Sequence, residues 1–101
     1  MNAKVRHTHH VLAVNDLASA VAYFRDKLGF EFRFAVDGWW FLALGDFRVM
    51  LGECKDEVPA RAANNHSYFA HVTLADIRPV YADMRARYAE ILFPLEAKPY
   101  G

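Results

Sequence analysis

Five histidines and a high density of aromatic rings are the chemistry-bearing features of this 101-residue chain. His7, His9 and His10 crowd the start of an apolar stretch that ends at Val14, His71 opens a second such stretch, and His66 follows Asn64 and Asn65 in a polar segment. Imidazoles suit divalent-metal ligation or hydrogen bonding in a pocket. Where ligand partners are missing, a pocket or core role is the plainer reading. His7 and His10 read as solvated strand-end residues, His66 as a loop residue and His71 as a cavity-lining one. No nucleophile is set up for catalysis: Ser19 and Ser67 lack an activating neighbour, and the single cysteine, Cys54, has only Lys55 beside it. Asp46, Asp56 and Glu57 read as turn and surface charges.

The rings carry the stronger hint. Eight Phe, five Tyr and two Trp are present, and most fall on helix stripes or in strand cores. Trp39 and Trp40, however, are neighbours in one predicted strand, so they point to opposite faces. One serves the core while the other faces a cavity or partner; simple packing of both is the alternative. Phe32, Phe34, Phe69 and Tyr100 add flat surfaces. An apolar groove with rings and a few polar groups suits a planar or heteroaromatic ligand.

The elements that must position these residues follow from periodicity. Residues 7–14 alternate as a strand, with His7, His9, Val11 and Ala13 on one face and the more apolar His10, Leu12 and Val14 on the other, beneath a helix. Asp16 is an N-cap, and Leu17, Ala20, Val21, Phe24 and Leu28 form a helical stripe that ends at Gly29. Phe30 to Phe34 alternates as a strand with one apolar face, Asp37-Gly38 signals a hairpin, Trp39 to Leu44 is a strand, Gly45-Asp46 a turn, and Phe47 to Leu51 a further strand. This is βαβββ. Residues 55–66 read as a polar linker. Tyr68 to Leu74 is then a strand, Asp76 a second N-cap, Ile77, Val80, Tyr81, Met84 and Tyr88 a second stripe, and Ile91-Leu92-Phe93 another strand.

Asp16 and Asp76 lie sixty positions apart, and all five stripe residues shift by that offset onto the second stripe. The chain therefore reads as a module at 1–54, a linker at 55–66 and a partial second module at 67–101. The second copy is two strands short, which leaves an open edge and an uncovered apolar face for another chain to meet.

Composition narrows the function. Apolar types make up 54% and charged types 24%, which is globular. Twelve basic residues balance twelve acidic ones, which disfavours nucleic acid and an acidic membrane surface. The longest apolar run, Trp39 to Leu44, is far too short to span a bilayer, and nothing resembling a signal peptide opens the chain. One cysteine permits no intrachain disulfide, so a reducing, cytoplasmic setting is the simplest expectation.

The run His9-His10-Val11-Leu12-Ala13-Val14-Asn15-Asp16-Leu17, continued by Ala20-Val21-Ala22-Tyr23-Phe24-Arg25-Asp26-Lys27-Leu28-Gly29-Phe30, resembles the opening of vicinal oxygen chelate proteins. His71 to Ile77 and the ending Phe93-Pro94-Leu95-Glu96 with Lys98-Pro99-Tyr100-Gly101 resemble the second module of their bleomycin-resistance branch. The resemblance implies an α+β fold, with βαβββ modules forming curved mixed β-sheets and the helices outside. It also implies a homodimer, with strand or module exchange as a variant, and a ligand cup between modules.

Enzymes of the superfamily hold a divalent metal through a histidine on the first strand of each module and a glutamate on the last. Carried over, the first histidine is His9, its second-module equivalent is Phe69, and only the displaced His71 and the strand-end Glu53 remain as further ligands. The expected function is thus a non-catalytic protein that sequesters a small aromatic, antibiotic-like molecule without a cofactor. His9, Trp39, Trp40, Phe69, His71 and Tyr100 are its candidate ligand-binding residues. The alternative is a metal-dependent lyase, isomerase, thiol transferase or dioxygenase using one divalent ion on His9, His71 and Glu53.

Overall fold

The computed structural model describes residues 3–56 and 69–97. Its elements are β1 (His10–Val14), α1 (Leu17–Asp26), β2 (Glu31–Val36), β3 (Trp39–Leu44), β4 (Phe47–Glu53) and α2 (Ile77–Ala86). The four strands form one mixed sheet in the order β1-β4-β3-β2, with β1 parallel to β4 and the other neighbours antiparallel. The architecture is α+β, as the resemblance implies. No helix among the described residues is long and apolar enough to cross a membrane.

Local chemistry sets each boundary. Asp16 has extended backbone and its carboxylate accepts the Ser19 N–H at 3.1 Å, while Glu53 from the end of β4 accepts the Leu17 N–H at 3.1 Å. Two orphan donors of the first helical turn are thereby satisfied. At the other end the Lys27 and Leu28 N–H groups both donate to the Tyr23 carbonyl, and Gly29 takes φ 79°, the left-handed conformation that ends the helix. Asp37 and Gly38, at φ 50° and 80°, make the mirror-image tight turn that matches strand twist between β2 and β3.

The core lies between α1 and one sheet face. Val21 and Phe24 of the helix meet Phe30, Leu42, Val49 and Leu51, with Leu12, Leu17, Trp40, Leu44 and Phe47 around them. One expectation fails inside β2. Clean alternation puts Phe30, Phe32 and Phe34 on a single face, but the register slips: Phe32 pairs with Leu42 and Phe34 with Phe41. Two residues of β3 in succession face two of β2 that are one further apart, so a bulge at Arg33 turns Phe34 to the face away from α1.

Among its described residues the second half keeps the cap and the helix but not the strands. Asp76 repeats the geometry of Asp16, accepts the Arg78 N–H at 3.1 Å, and α2 spans the same ten positions as α1 after the sixty-residue shift. The Arg78 guanidinium bonded to it holds the Asp76 carboxyl below the usual carboxylate range. Residues 69–74 and 91–93, read from sequence as strands, have no strand partner among the described residues. Their β-forming side chains satisfy propensity, but a strand also needs a ladder. Likewise β1 begins at His10, where its pairing with Val49 starts, and not at His7.

No residue of α2 is buried. The helix is fastened mainly at its C-terminal end. Arg87 donates to the Arg25 and Asp26 carbonyls at 3.3 and 3.4 Å while paired with Asp83, and the Glu90 N–H donates to the Tyr23 hydroxyl at 2.7 Å. A cation on the last carbonyls of α1 also meets the negative end of that helix. Leu51→Ala, at a fully buried site, is expected to lower unfolding free energy in urea by ~2–5 kcal/mol. Leu92→Ala, at a site 82% exposed, is expected to change it by no more than about 0.5 kcal/mol.

Candidate functional site

The sheet has one face beneath α1 and one turned away from it, and alternation assigns every strand residue to one or the other. In β3, Trp40, Leu42 and Leu44 join the core side, so Trp39 and Phe41 project from the open side. In β4, Val49 and Leu51 are core residues, which sends Met50 and Gly52 to the open side. Register then brings Trp39 opposite Gly52 and Phe41 opposite Met50.

Gly52 is the key to this face. A Cβ built there would stand 2.7 Å from Cζ3 of Trp39 and 2.9 Å from two further ring carbons. The indole therefore lies down against the β4 backbone, in space that only glycine leaves open. Beside it Phe34, delivered by the bulge, stacks on Phe41 with ring centres 4.3 Å apart and planes at 14°. His9 meets the edge of the same Phe41 ring at 5.3 Å and 89°. The result is a wall of aromatic rings with His9 at its rim. Phe34 is 52% exposed and Val11 60% exposed, so the wall is open to a ligand or to another protein surface.

The sequence-derived candidates divide between the faces. His9 and Trp39 share the open face. Trp40 lies on the helix side, 4.8 Å from the Phe32 ring, and forms one wall of a cavity of about 510 Å³ beside α1. Phe69 also lies on the helix side, stacked on Phe47 at 6.1 Å and near Phe24 and His10. His71 is exposed in the irregular segment before α2, and Tyr100 is outside the described residues. Phe41 and Gly52 were not singled out by sequence. Phe41 is hidden inside an all-apolar run, whereas a glycine within a strand was a usable sign of close approach.

The residues do not fit a metal site on His9, His71 and Glu53. His9 packs on the open face, while Glu53 follows Val49 and Leu51 on the helix side and caps α1. Among the described residues no three His, Cys, Asp or Glu side chains converge.

Residues 6–101 match the family model described as Glyoxalase/Bleomycin resistance protein/Dioxygenase superfamily. No curated protein sequence matches significantly. Among solved structures, TioX from Micromonospora sp. ML1 is 23% identical with a TM-score of 0.61, over 93% of this chain and 83% of that one. The bleomycin-binding protein of Streptomyces verticillus, solved with copper(II)-bleomycin, is 22% identical with a TM-score of 0.62, over 88% and 72%. The bleomycin resistance determinant encoded on transposon Tn5 is 23% identical with a TM-score of 0.60, over 81% and 64%. At these identities the likeness is one of fold.

Gly52→Ala separates a site glycine from an ordinary one. In an unobstructed strand the change is expected to stabilise by up to about 1 kcal/mol. With the indole in the way it is expected to destabilise by ~1–3 kcal/mol in urea titration, and to shift tryptophan emission to the red as Trp39 lifts into water.

Proposed function

The chain belongs to the Glyoxalase/Bleomycin resistance protein/Dioxygenase superfamily, and from that premise we propose that it is a small-molecule binding protein that holds a flat, antibiotic-like aromatic ligand against the open face of its sheet. The observation that carries this reading is the Trp39 ring laid over Gly52 beside the Phe34–Phe41 stack. Large rigid rings give contact area at small entropic cost, and His9 at the rim supplies a hydrogen-bonding group. Two proteins of the same fold are a bleomycin-binding protein solved with copper(II)-bleomycin and a bleomycin resistance determinant, so bleomycin is the first ligand to test.

One module offers a wall and not an enclosure. A second copy of the chain, laid face to face or exchanging part of its second half, closes the cup and covers Val11, Phe34 and Val36, which are 60%, 52% and 49% exposed. The exposed, unpaired Cys54 suits a reducing compartment. Capture by affinity needs no reacting group.

Titration with bleomycin in the presence of EDTA is expected to quench tryptophan fluorescence saturably. Trp39→Phe is expected to weaken binding about tenfold or more, the scale of a lost ring contact. Unchanged affinity in that variant, or binding that vanishes with EDTA, would sink the reading. Sedimentation at micromolar concentration is expected to show a dimer that Phe34→Glu shifts toward monomer.

A further inference from the structure

A second recessed site lies on the opposite side of the sheet, along the flank of α1. Its floor is the helix surface at Ala18, Val21 and Ala22, and its wall is the half-buried Trp40 ring. At about 510 Å³ the space falls within the range of small-molecule pockets. The two alanines matter because they keep the slot beside the indole clear of side chains. The cavity is separated from the open face by the thickness of the sheet, since Trp39 and Trp40 leave the strand in opposite directions.

Its polar groups stand at the two ends. Glu53 lies by Leu17, at the start of the helix, and Arg25 with Asp26 at its finish, roughly 12 Å along the axis at 1.5 Å per residue. Glu53 gives one oxygen, Oε2, to the Leu17 N–H, and its second oxygen remains for another donor. Carboxylates outnumber the guanidinium two to one around the rim. The wall is an indole, the side chain that best attracts a cation to its face.

We propose that this groove is a second ligand site, distinct from the open face, and that it takes a flat aromatic cation whose ring slides between Trp40 and the Ala18–Ala22 flank with its charge toward Glu53. A planar ring fills the slot that the alanines leave. A positive charge answers both the surplus carboxylate and the indole face. Among the described residues that line the groove, an aromatic anion meets only Arg25, which has Asp26 beside it.

The test compares two tricyclic probes of similar shape, proflavine as the cation and acridine-9-carboxylate as the anion, by calorimetry on the full chain. Proflavine is expected to bind at least tenfold tighter than the carboxylate. Ala22→Trp, which fills the slot from an exposed helix position, is expected to weaken proflavine by tenfold or more. Glu53→Gln, which keeps an oxygen for the Leu17 N–H, is expected to weaken it about fivefold, the scale of one lost charge-assisted contact. Trp39→Phe is expected to leave this site within about twofold, so failure of the open-face reading and failure of this one are told apart. Circular dichroism checks the fold of each variant, and Ala18→Trp repeats the block should Ala22→Trp not fold. Equal affinity for the two probes, or affinity unmoved by a folded slot-filling variant, overturns the proposal. So does proflavine binding lost in Trp39→Phe alone, which places the dye on the other face.

Discussion

The parallel pairing of β1 with β4 is the constraint on which the rest depends. It joins the first strand of the module to the last, and its register, from His10 opposite Val49 to Val14 opposite Glu53, fixes both faces of the sheet at once. Leu12 falls beside Leu51 under the helix, and Val11 beside Met50 on the open side. The same register carries Glu53 to the first turn of α1, where it accepts an N–H that would otherwise be unpaired. A slip of one residue would turn His9 under the helix and expel Leu12. Burial of Leu42, Val49 and Leu51, each no more than 1% exposed, makes such a slip costly.

The first module was readable because its signals are local. Asp16, Gly29, Asp37-Gly38 and Gly45 each act within a few residues, and the structure places a cap or a left-handed residue at every one. Which Trp faces outward was not readable, since alternation gives two opposite directions without saying which is core. The bulge at Arg33 was hidden for the same kind of reason: Phe30-Glu31-Phe32-Arg33-Phe34 alternates without flaw, and only the pairing partner reveals the extra residue. The spacing that assigned His9 to the face away from the helix was sound. The spacing that set Phe69 beside it was not enough, because it assumed a strand where the described chain shows no ladder. Phe69 instead adds a ring to the Phe24–Phe47 cluster.

The two halves illustrate how far a repeat can be preserved in backbone while its energetics change. Both helices have an aspartate cap and ten residues at the same offset. In α1 the stripe buries Val21 and Phe24; in α2 the corresponding Tyr81 and Met84 are only half-buried. A helix held by an arginine on two carbonyls and one tyrosine hydroxyl depends on geometry more than on apolar area. Its terminus also carries Tyr88 at φ 61°, a conformation that side chains with a Cβ seldom adopt. Of the two described helices, α2 is accordingly the one held by less apolar burial.

The kink in β2 has a meaning beyond the ring it redirects. β2 is one of the two borders of the sheet, with β1 at the other, and every one of its residues is exposed. A straight border presents evenly spaced amide and carbonyl groups on which another molecule can crystallise a further strand, then another. Arg33 breaks that even spacing midway, and its loose pairing with Glu31 at 3.8 Å sets charge along the same margin. One surplus residue in this border strand therefore denies fibrous stacking an even template along that margin of the sheet.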